Sequence, residues 1–184
     1  MKSILMSIKP KYCALIERGE KTIEVRKTRP KIETPFKVYM YCTKEKNDTF
    51  FLQRNTLQHF ATYSIAYVGN GKVIGEFVCD MVEKIMPDSE YYSYGYNIDD
   101  DMMPEICLTR KELCDYGNGK HLYGLHISDL KIYDNSKELG EFYKHDKTYD
   151  NAFAWAFEDR TKNVPLTRPP QSWCYVEENV DGTR

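Results

Sequence analysis

Lys21, Glu24 and Arg26 fall within six residues of one another. They lie in the run Gly19-Glu20-Lys21-Thr22-Ile23-Glu24-Val25-Arg26, shortly after Ser7-Ile8-Lys9-Pro10. Four charges surround the alternating apolar pair Ile23 and Val25, the pattern of a strand with one buried face. Any polar residues would satisfy a solvated face. A Lys, a Glu and an Arg together make a mixed-charge set able to hold an anionic or hydrogen-bonding ligand and to move a proton. The alternative is a strand face laced with cross-strand ion pairs of little energetic value.

Side-chain direction decides which of these groups can meet. Glu24 and Arg26 are two apart and share one face of the strand. Strict alternation sends Lys21 to the Ile23 face, so the three converge only if Lys21 lies at the turn or a bulge intervenes. A Lys at a strand mouth binds phosphate, acts as a base when desolvated, or is simply solvated. Lys9 leads into Pro10 and a helix N-terminus, which makes it part of an anion site or an exposed lysine. Gln171, Ser172 and Trp173 follow the rigid pair Pro169-Pro170. Trp173 either stacks on a base or fills the core. Residues 7–9, 21–26 and 171–173 each sit beside a backbone constraint, at Pro10, Gly19 and Pro169-Pro170, and are expected to converge on one rim. Glu76 interrupts an apolar strand, as a buried acid or an outward-facing one, and His126 reads as a structural histidine. There is no Ser-His-Asp order, HExxH or phosphate-loop motif. Asp99-Asp100-Asp101 lacks the spacing of a calcium loop, and neither a metal nor a cofactor is expected.

The elements that must position these groups are short. Residues 3–8 read as a strand, and Pro10 opens a helix over 10–18 that Gly19 closes. Strands are expected at 21–27, 36–43, 72–83, 122–133 and 172–177. Thr109 and Glu112 form a capping box for a helix at 110–116, and Gly117-Asn118-Gly119 ends it. A helical turn is expected at 137–143. Three stretches read as insertions: 44–68, partly helical; 88–106, with Tyr91, Tyr92, Tyr94 and Tyr96; and 144–165, helix-like around Phe153, Trp155 and Phe157. The tail from Asn179 reads as frayed. Six short strands with few helices predict a small curled sheet or barrel with helices at its rim, not a doubly wound sheet.

A length of 184 residues suits one domain, 1–184, with its core at about 3–178. The chain holds 15 Tyr against 8 Phe and 2 Trp, a bias that suits strands or a nucleotide site. A net charge of −2 argues against a general nucleic-acid coat. Residues 1–46 nevertheless hold twelve Lys/Arg against five Asp/Glu, a basic third suited to phosphate or to pairing with the acidic remainder. Six cysteines without C-x-x-C or zinc spacing read as free, mostly buried thiols in a reducing cytoplasm. No secretory signal is read at the N-terminus, and nothing reaches transmembrane length, so no membrane partner is expected.

The motifs and their order resemble the ASCH domain family of the PUA-like superfamily. The resemblance rests on Ser7-Ile8-Lys9-Pro10, the segment Gly19 to Arg26, Gly71-Lys72-Val73-Ile74-Gly75-Glu76-Phe77, Leu125-His126-Ile127 and Leu139-Gly140-Glu141-Phe142. The closing run from Pro169 to Val176 resembles the C-terminal strand of a phage and bacterial branch. The resemblance spans residues 3–178 apart from the insertions. It implies an α+β fold, a small mixed PUA-like β-barrel with short helices at the rim, and RNA or nucleotide binding in a cleft. Some members are amidohydrolases that cleave N4-acetylcytidine, and others are connected with RNA cleavage. In the amidohydrolase branch a Lys and a Thr of this segment and a later Glu are assigned to catalysis. The Lys corresponds to Lys21, and the Thr position holds Glu24.

Three functions are therefore expected as alternatives. One is RNA or modified-nucleoside binding by Ser7, Lys9, Arg26, Gln171, Ser172 and Trp173 around Lys21 and Glu24. Another is hydrolysis of an N4-acylated cytidine, with Lys21 activating the nucleophile and Glu24 shuttling the proton. The last is a protein-interaction module whose contact surface is the Tyr-rich stretch at 88–106.

Overall fold

The computed structural model describes residues 3–46, 50–54, 66–88, 95–145 and 163–178. In chain order the elements are β1 (Ser3–Ile8), α1 (Pro10–Glu17), β2 (Ile23–Arg26), β3 (Phe36–Cys42), β4 (Leu52–Arg54), β5 (Ala66–Val68), β6 (Val73–Cys79), β7 (Val82–Pro87) and β8 (Tyr96–Asn97). Then come α2 (Met102–Ile106), α3 (Arg110–Gly117), β9 (Leu122–His126), β10 (Ser128–Lys137), one 3₁₀ turn (Leu139–Glu141), β11 (Phe142–His145), β12 (Asn163–Pro165) and β13 (Trp173–Glu178).

Every residue of β1 is buried, which requires cover on both faces. It runs through the middle of a seven-stranded sheet in the order β10-β6-β3-β1-β13-β11-β12. It pairs parallel with β3 and antiparallel with β13, so the sheet is mixed. A four-stranded sheet, β2-β9-β7-β8, packs beside it, and β4-β5 form a separate ladder. The α+β class holds, but among the described residues both large sheets end in open edges, so the hydrogen bonding is not closed into a barrel.

Two corners explain this geometry. The predicted strands 72–83 and 122–133 each break, one at Asp80-Met81 and the other at Ile127. At both breaks the chain leaves one sheet for the other, as strands do at corners. The corners are tied by His126 N–H donating to Met81 O at 3.0 Å and Ile127 N–H to Thr22 O at 2.8 Å. Ser128 Oγ closes the join on Val78 O at 3.0 Å.

Three apolar clusters follow. Ile4, Met6, Ile8, Phe36, Val38 and Phe77 pack with Cys13 and Ile16 of α1 and Leu125 of β9. On the other face of the large sheet, Leu5, Tyr39, Tyr41 and Tyr133 meet Phe142 and Leu166. Ile23, Val25 and Ile85 of the small sheet pack with Tyr96, Ile106 and Leu113. The third cluster draws on residues 95–106, read from sequence as part of an insertion. Tyr96 is buried there, and its hydroxyl donates to Lys120 O at 2.6 Å. Tyr91, Tyr92 and Tyr94, the stretch around Phe153, Trp155 and Phe157, residues 55–65 and the tail lie outside the described residues.

Local signals hold where they are strongest. Pro10 is the first residue of α1, and Gly19 leaves it at φ +72°. The Thr109–Glu112 capping box is formed in full. All six cysteines are free, with Cys13, Cys42 and Cys79 buried. Burial pushes the Cys79 thiol up to about 12, which leaves it inert. Among the described residues no helix is long and apolar enough to cross a membrane.

Candidate functional site

The turn after α1 delivers Lys21. The N–H groups of Glu20 and Lys21 both donate to Leu15 O, at 3.0 and 3.1 Å, so the chain folds back before β2 begins at Ile23. Lys21 thus precedes the strand and escapes its alternation, without a bulge. Its side chain is only 2% exposed. The ammonium donates to Ile23 O at 2.8 Å and Ile106 O at 2.6 Å, and lies 3.3 Å from Glu24 Oε2. Two carbonyl acceptors and one carboxylate thus surround the ammonium.

Glu24 and Arg26 share the face of β2 opposite Ile23 and Val25, toward the first cluster, where Glu24 pairs with Leu125. Arg26 Nη2 lies 2.9 Å from Glu24 Oε1 and donates to Ser7 O at 2.7 Å. Ser7 extends the chain of contacts: its hydroxyl donates to Pro170 O at 2.6 Å and its N–H to Ser172 O at 2.9 Å. Buried charges survive only when paired or hydrogen-bonded, and all three are paired here, although Arg26 Nε has no hydrogen-bond partner among the described residues.

A cleft of about 350 Å³ opens over this triad. Ser7, Lys9, Lys11 and Tyr12 form one wall, and Lys21, Glu24, Val25 and Arg26 the floor. Leu108, with Glu112, Asp115 and Tyr116 of α3, forms the opposite wall. The Lys21 ammonium lies 5.2 Å from the centre of the Tyr12 ring, and that of Lys11 4.5 Å from it. Tyr12, with Glu112 behind it, raises the Lys11 pKa above its ordinary value. Burial raises that of the Tyr116 hydroxyl, which therefore stays a neutral hydrogen-bonding group.

Of the residues singled out from sequence, Ser7, Lys9, Lys21, Glu24 and Arg26 come together in this cleft. The C-terminal three do not line it. Gln171 is exposed, and Ser172 contributes its backbone oxygen to Ser7. Trp173 packs against the first cluster and donates Nε1 to Thr28 O at 3.1 Å. The segment leading into β13 thus supports Ser7 through its backbone. Sequence reasoning missed Lys11, Tyr12 and the whole α3 wall. Lys11 and Tyr12 were accessible, since they occupy the first turn after Pro10. Glu112 was read only as a cap. Glu76 belongs elsewhere, on the outer face of the large sheet, where Tyr133 donates to it at 2.6 Å and Lys37 lies 3.2 Å away. Among the described residues no cluster of His, Cys, Asp and Glu is placed to hold a metal ion.

No protein-family model matches the sequence, and no curated protein matches it. Solved structures do. The crystal structure of ASCH from Zymomonas mobilis is 15% identical, with a TM-score of 0.56, over 96% of this chain and 88% of that one. A Tyr-to-Phe variant of the same protein gives 0.56 over 91% of its chain, and a Ser-to-Ala variant 0.55 over 89%. At that identity the likeness speaks for the backbone alone, and it agrees with the order of motifs read from the sequence: this chain has the fold of the ASCH structures.

Proposed function

We propose that the cleft binds RNA or a modified nucleoside, with a base held between Tyr12 and Tyr116 and its edge turned to Glu24. One observation carries this reading: the Lys21–Glu24–Arg26 triad is almost wholly buried yet floors an open cleft. Stability does not call for such a triad, because well-packed apolar residues of similar volume are often as stable or more so. Convergent polar groups at the floor of an open cleft are the arrangement of a ligand site. Each Glu24 oxygen takes one cation and keeps a lone pair for a base N–H, such as an exocyclic amine. Aromatic stacking contributes about 1–3 kcal/mol per base, and the volume lies in the range of about 300–1,000 Å³ of small-molecule sites. The ASCH fold supports the reading by analogy.

The test is titration of short single-stranded RNA and of free nucleosides at two salt concentrations. RNA affinity should fall with salt, and Tyr12→Ala should weaken both ligands. Absence of binding by either at low salt refutes the proposal.

Hydrolysis of an N4-acylated cytidine is a second reading, favoured by an ammonium and a carboxylate 3.3 Å apart on the floor. With the Lys21 ammonium held by two backbone carbonyls, Glu24 is the better proton carrier and Lys21 the charge that holds it. Incubation with N4-acetylcytidine, followed by ultraviolet absorbance, tests it. Absence of turnover rejects this reading, and a rate unchanged in Lys21→Ala removes Lys21 from the chemistry.

A further inference from the structure

We infer that the cleft is polarised to take a ribonucleotide in one orientation, its phosphate against Lys9, Lys11 and the start of α1, its ribose hydroxyls toward Glu112 and Asp115. The inference rests on the nucleotide-binding reading above and specifies the form of ligand and how it lies.

The charge at the start of α1 is the reverse of the usual one. A helix N-terminus carries partial positive charge and is ordinarily matched by an acidic residue or a capping side chain. Here the N-cap is Lys9, which makes no side-chain cap, and the first turn contains no acidic residue. It contains Lys11 instead. Two lysines at the positive end of a helix form an anion site that α1 itself leaves uncompensated.

Neighbouring carboxylates do not close it. Lys9 stands 3.9 Å from Glu45, and Lys11 3.6 Å from Glu112. Charge-assisted hydrogen bonds are shorter, at about 2.7–2.9 Å. Both lysine side chains are at least half exposed, at 65% and 50%. Phosphate oxygens can therefore replace these stand-off pairs.

Arg26 is an independent pointer to a ligand. Its side chain lines the same cleft and is 9% exposed, yet Nε has no hydrogen-bond partner among the described residues. A buried N–H without an acceptor is costly, and a ligand acceptor is the partner the described residues do not supply. The lining as a whole sets four cations, Lys9, Lys11, Lys21 and Arg26, against three carboxylates, Glu24, Glu112 and Asp115. That balance has the sign a phosphate needs.

The α3 wall fixes the direction. Glu112 and Asp115 repel phosphate and accept hydrogen bonds from hydroxyl groups, as acidic residues do from ribose at dinucleotide sites. Phosphate on the α1 wall and ribose on the α3 wall leaves the base over the triad.

Calorimetry with the four ribonucleosides, their 5′-monophosphates and the 2′-deoxy monophosphates tests this. At low salt the monophosphates should bind on the order of tenfold more tightly than the nucleosides, an advantage that shrinks as salt rises. Lys9→Gln/Lys11→Gln should remove most of that advantage while lowering nucleoside affinity far less. Asp115→Asn should narrow the gap between ribo and deoxy forms. Equal affinity for nucleosides and monophosphates in the unmodified protein overturns the inference and leaves base binding standing. So does an advantage that survives the double lysine substitution. Failure of every nucleoside and monophosphate to bind overturns the inference together with the reading beneath it.

Discussion

Lys21→Met should be among the most damaging single substitutions in this fold, although it alters a lysine. Removing one partner of a buried ion pair costs about 3–5 kcal/mol, because the other charge is left in a dry environment. Here Glu24 keeps Arg26 at 2.9 Å, which places that contribution at the low end. The substitution also strips Ile23 O and Ile106 O of a donor, and each orphaned buried acceptor costs about 1–3 kcal/mol. Since these costs overlap, a total of about 4 kcal/mol is expected. That is a large share of the roughly 5–15 kcal/mol that holds a domain folded. For a chain of this size it corresponds to a fall in Tm of about 8–16 °C. Lys111→Met is the control. Lys111 lies 2.7 Å from Asp115, closer than Lys21 to Glu24, but the two side chains are 84% and 67% exposed. Its loss should leave the urea midpoint unmoved. Urea denaturation followed by tryptophan and tyrosine fluorescence compares the two directly. A third variant separates stability from function: Lys21→Met/Glu24→Leu/Arg26→Met should recover much of the lost stability and bind no RNA. If Lys21→Met and Lys111→Met shift the midpoint equally, the triad is not dry and the reasoning fails.

Two further expectations concern the rest of the fold. Burial alone would raise the Glu76 carboxyl pKa, but hydrogen bonds from Tyr133 and Lys37, with the charges of Lys37 and Lys131, outweigh it and hold the pKa below its ordinary value. A depressed folded-state pKa stabilises above the unfolded value near 4.5 and loses that stabilisation as pH falls through the folded value. Tyr133→Phe should therefore cost about 1.5–3 kcal/mol at pH 7 and progressively less below pH 4.5 in urea titrations; a cost independent of pH would sink the assignment. Gly117→Ala tests α3 by sign: helix propensity alone predicts a gain of about 1 kcal/mol, but the new Cβ would clash with Tyr96 Oη. Overpacking of about 1–3 kcal/mol should win, and a raised melting temperature would show that it does not.

How much of the fold could be read in the chain depended on how local its signals were. β1 and α1 were legible to within a residue or so because Pro10 and Gly19 act on their own backbone. The same holds for α3, whose cap is made within four residues. The strands predicted at 72–83 and 122–133 were each read as one because their β-forming residues run on through Asp80-Met81 and Ile127. What breaks them is the packing of two sheets, and each break is tied by a partner far away in sequence, Met81 to His126 and Thr22 to Ile127. No window of sequence contains that information.

The candidate site divides along the same line. The meeting of Lys21, Glu24 and Arg26 was legible as a geometric condition, and the turn after Gly19 met it. The C-terminal residues were expected to lend side chains, but a strand that supports a neighbour does so first through its backbone. Thus the oxygens of Pro170 and Ser172 matter here, not the side chains of Gln171 or Trp173. The least legible contact holds the floor of the cleft together: the carbonyl of Ile106, 85 residues beyond Lys21, at the end of α2 in a stretch read as an insertion. The adjoining backbone is pinned too, by Thr22 N–H on Glu105 O at 3.0 Å and Thr22 Oγ1 on Glu105 Oε2 at 3.0 Å. Anything that displaces α2 therefore removes an acceptor from Lys21 and loosens the charge beside Glu24 from outside the cleft. In physical terms α2 is part of the site's foundation, even though it contributes no side chain to the cleft lining.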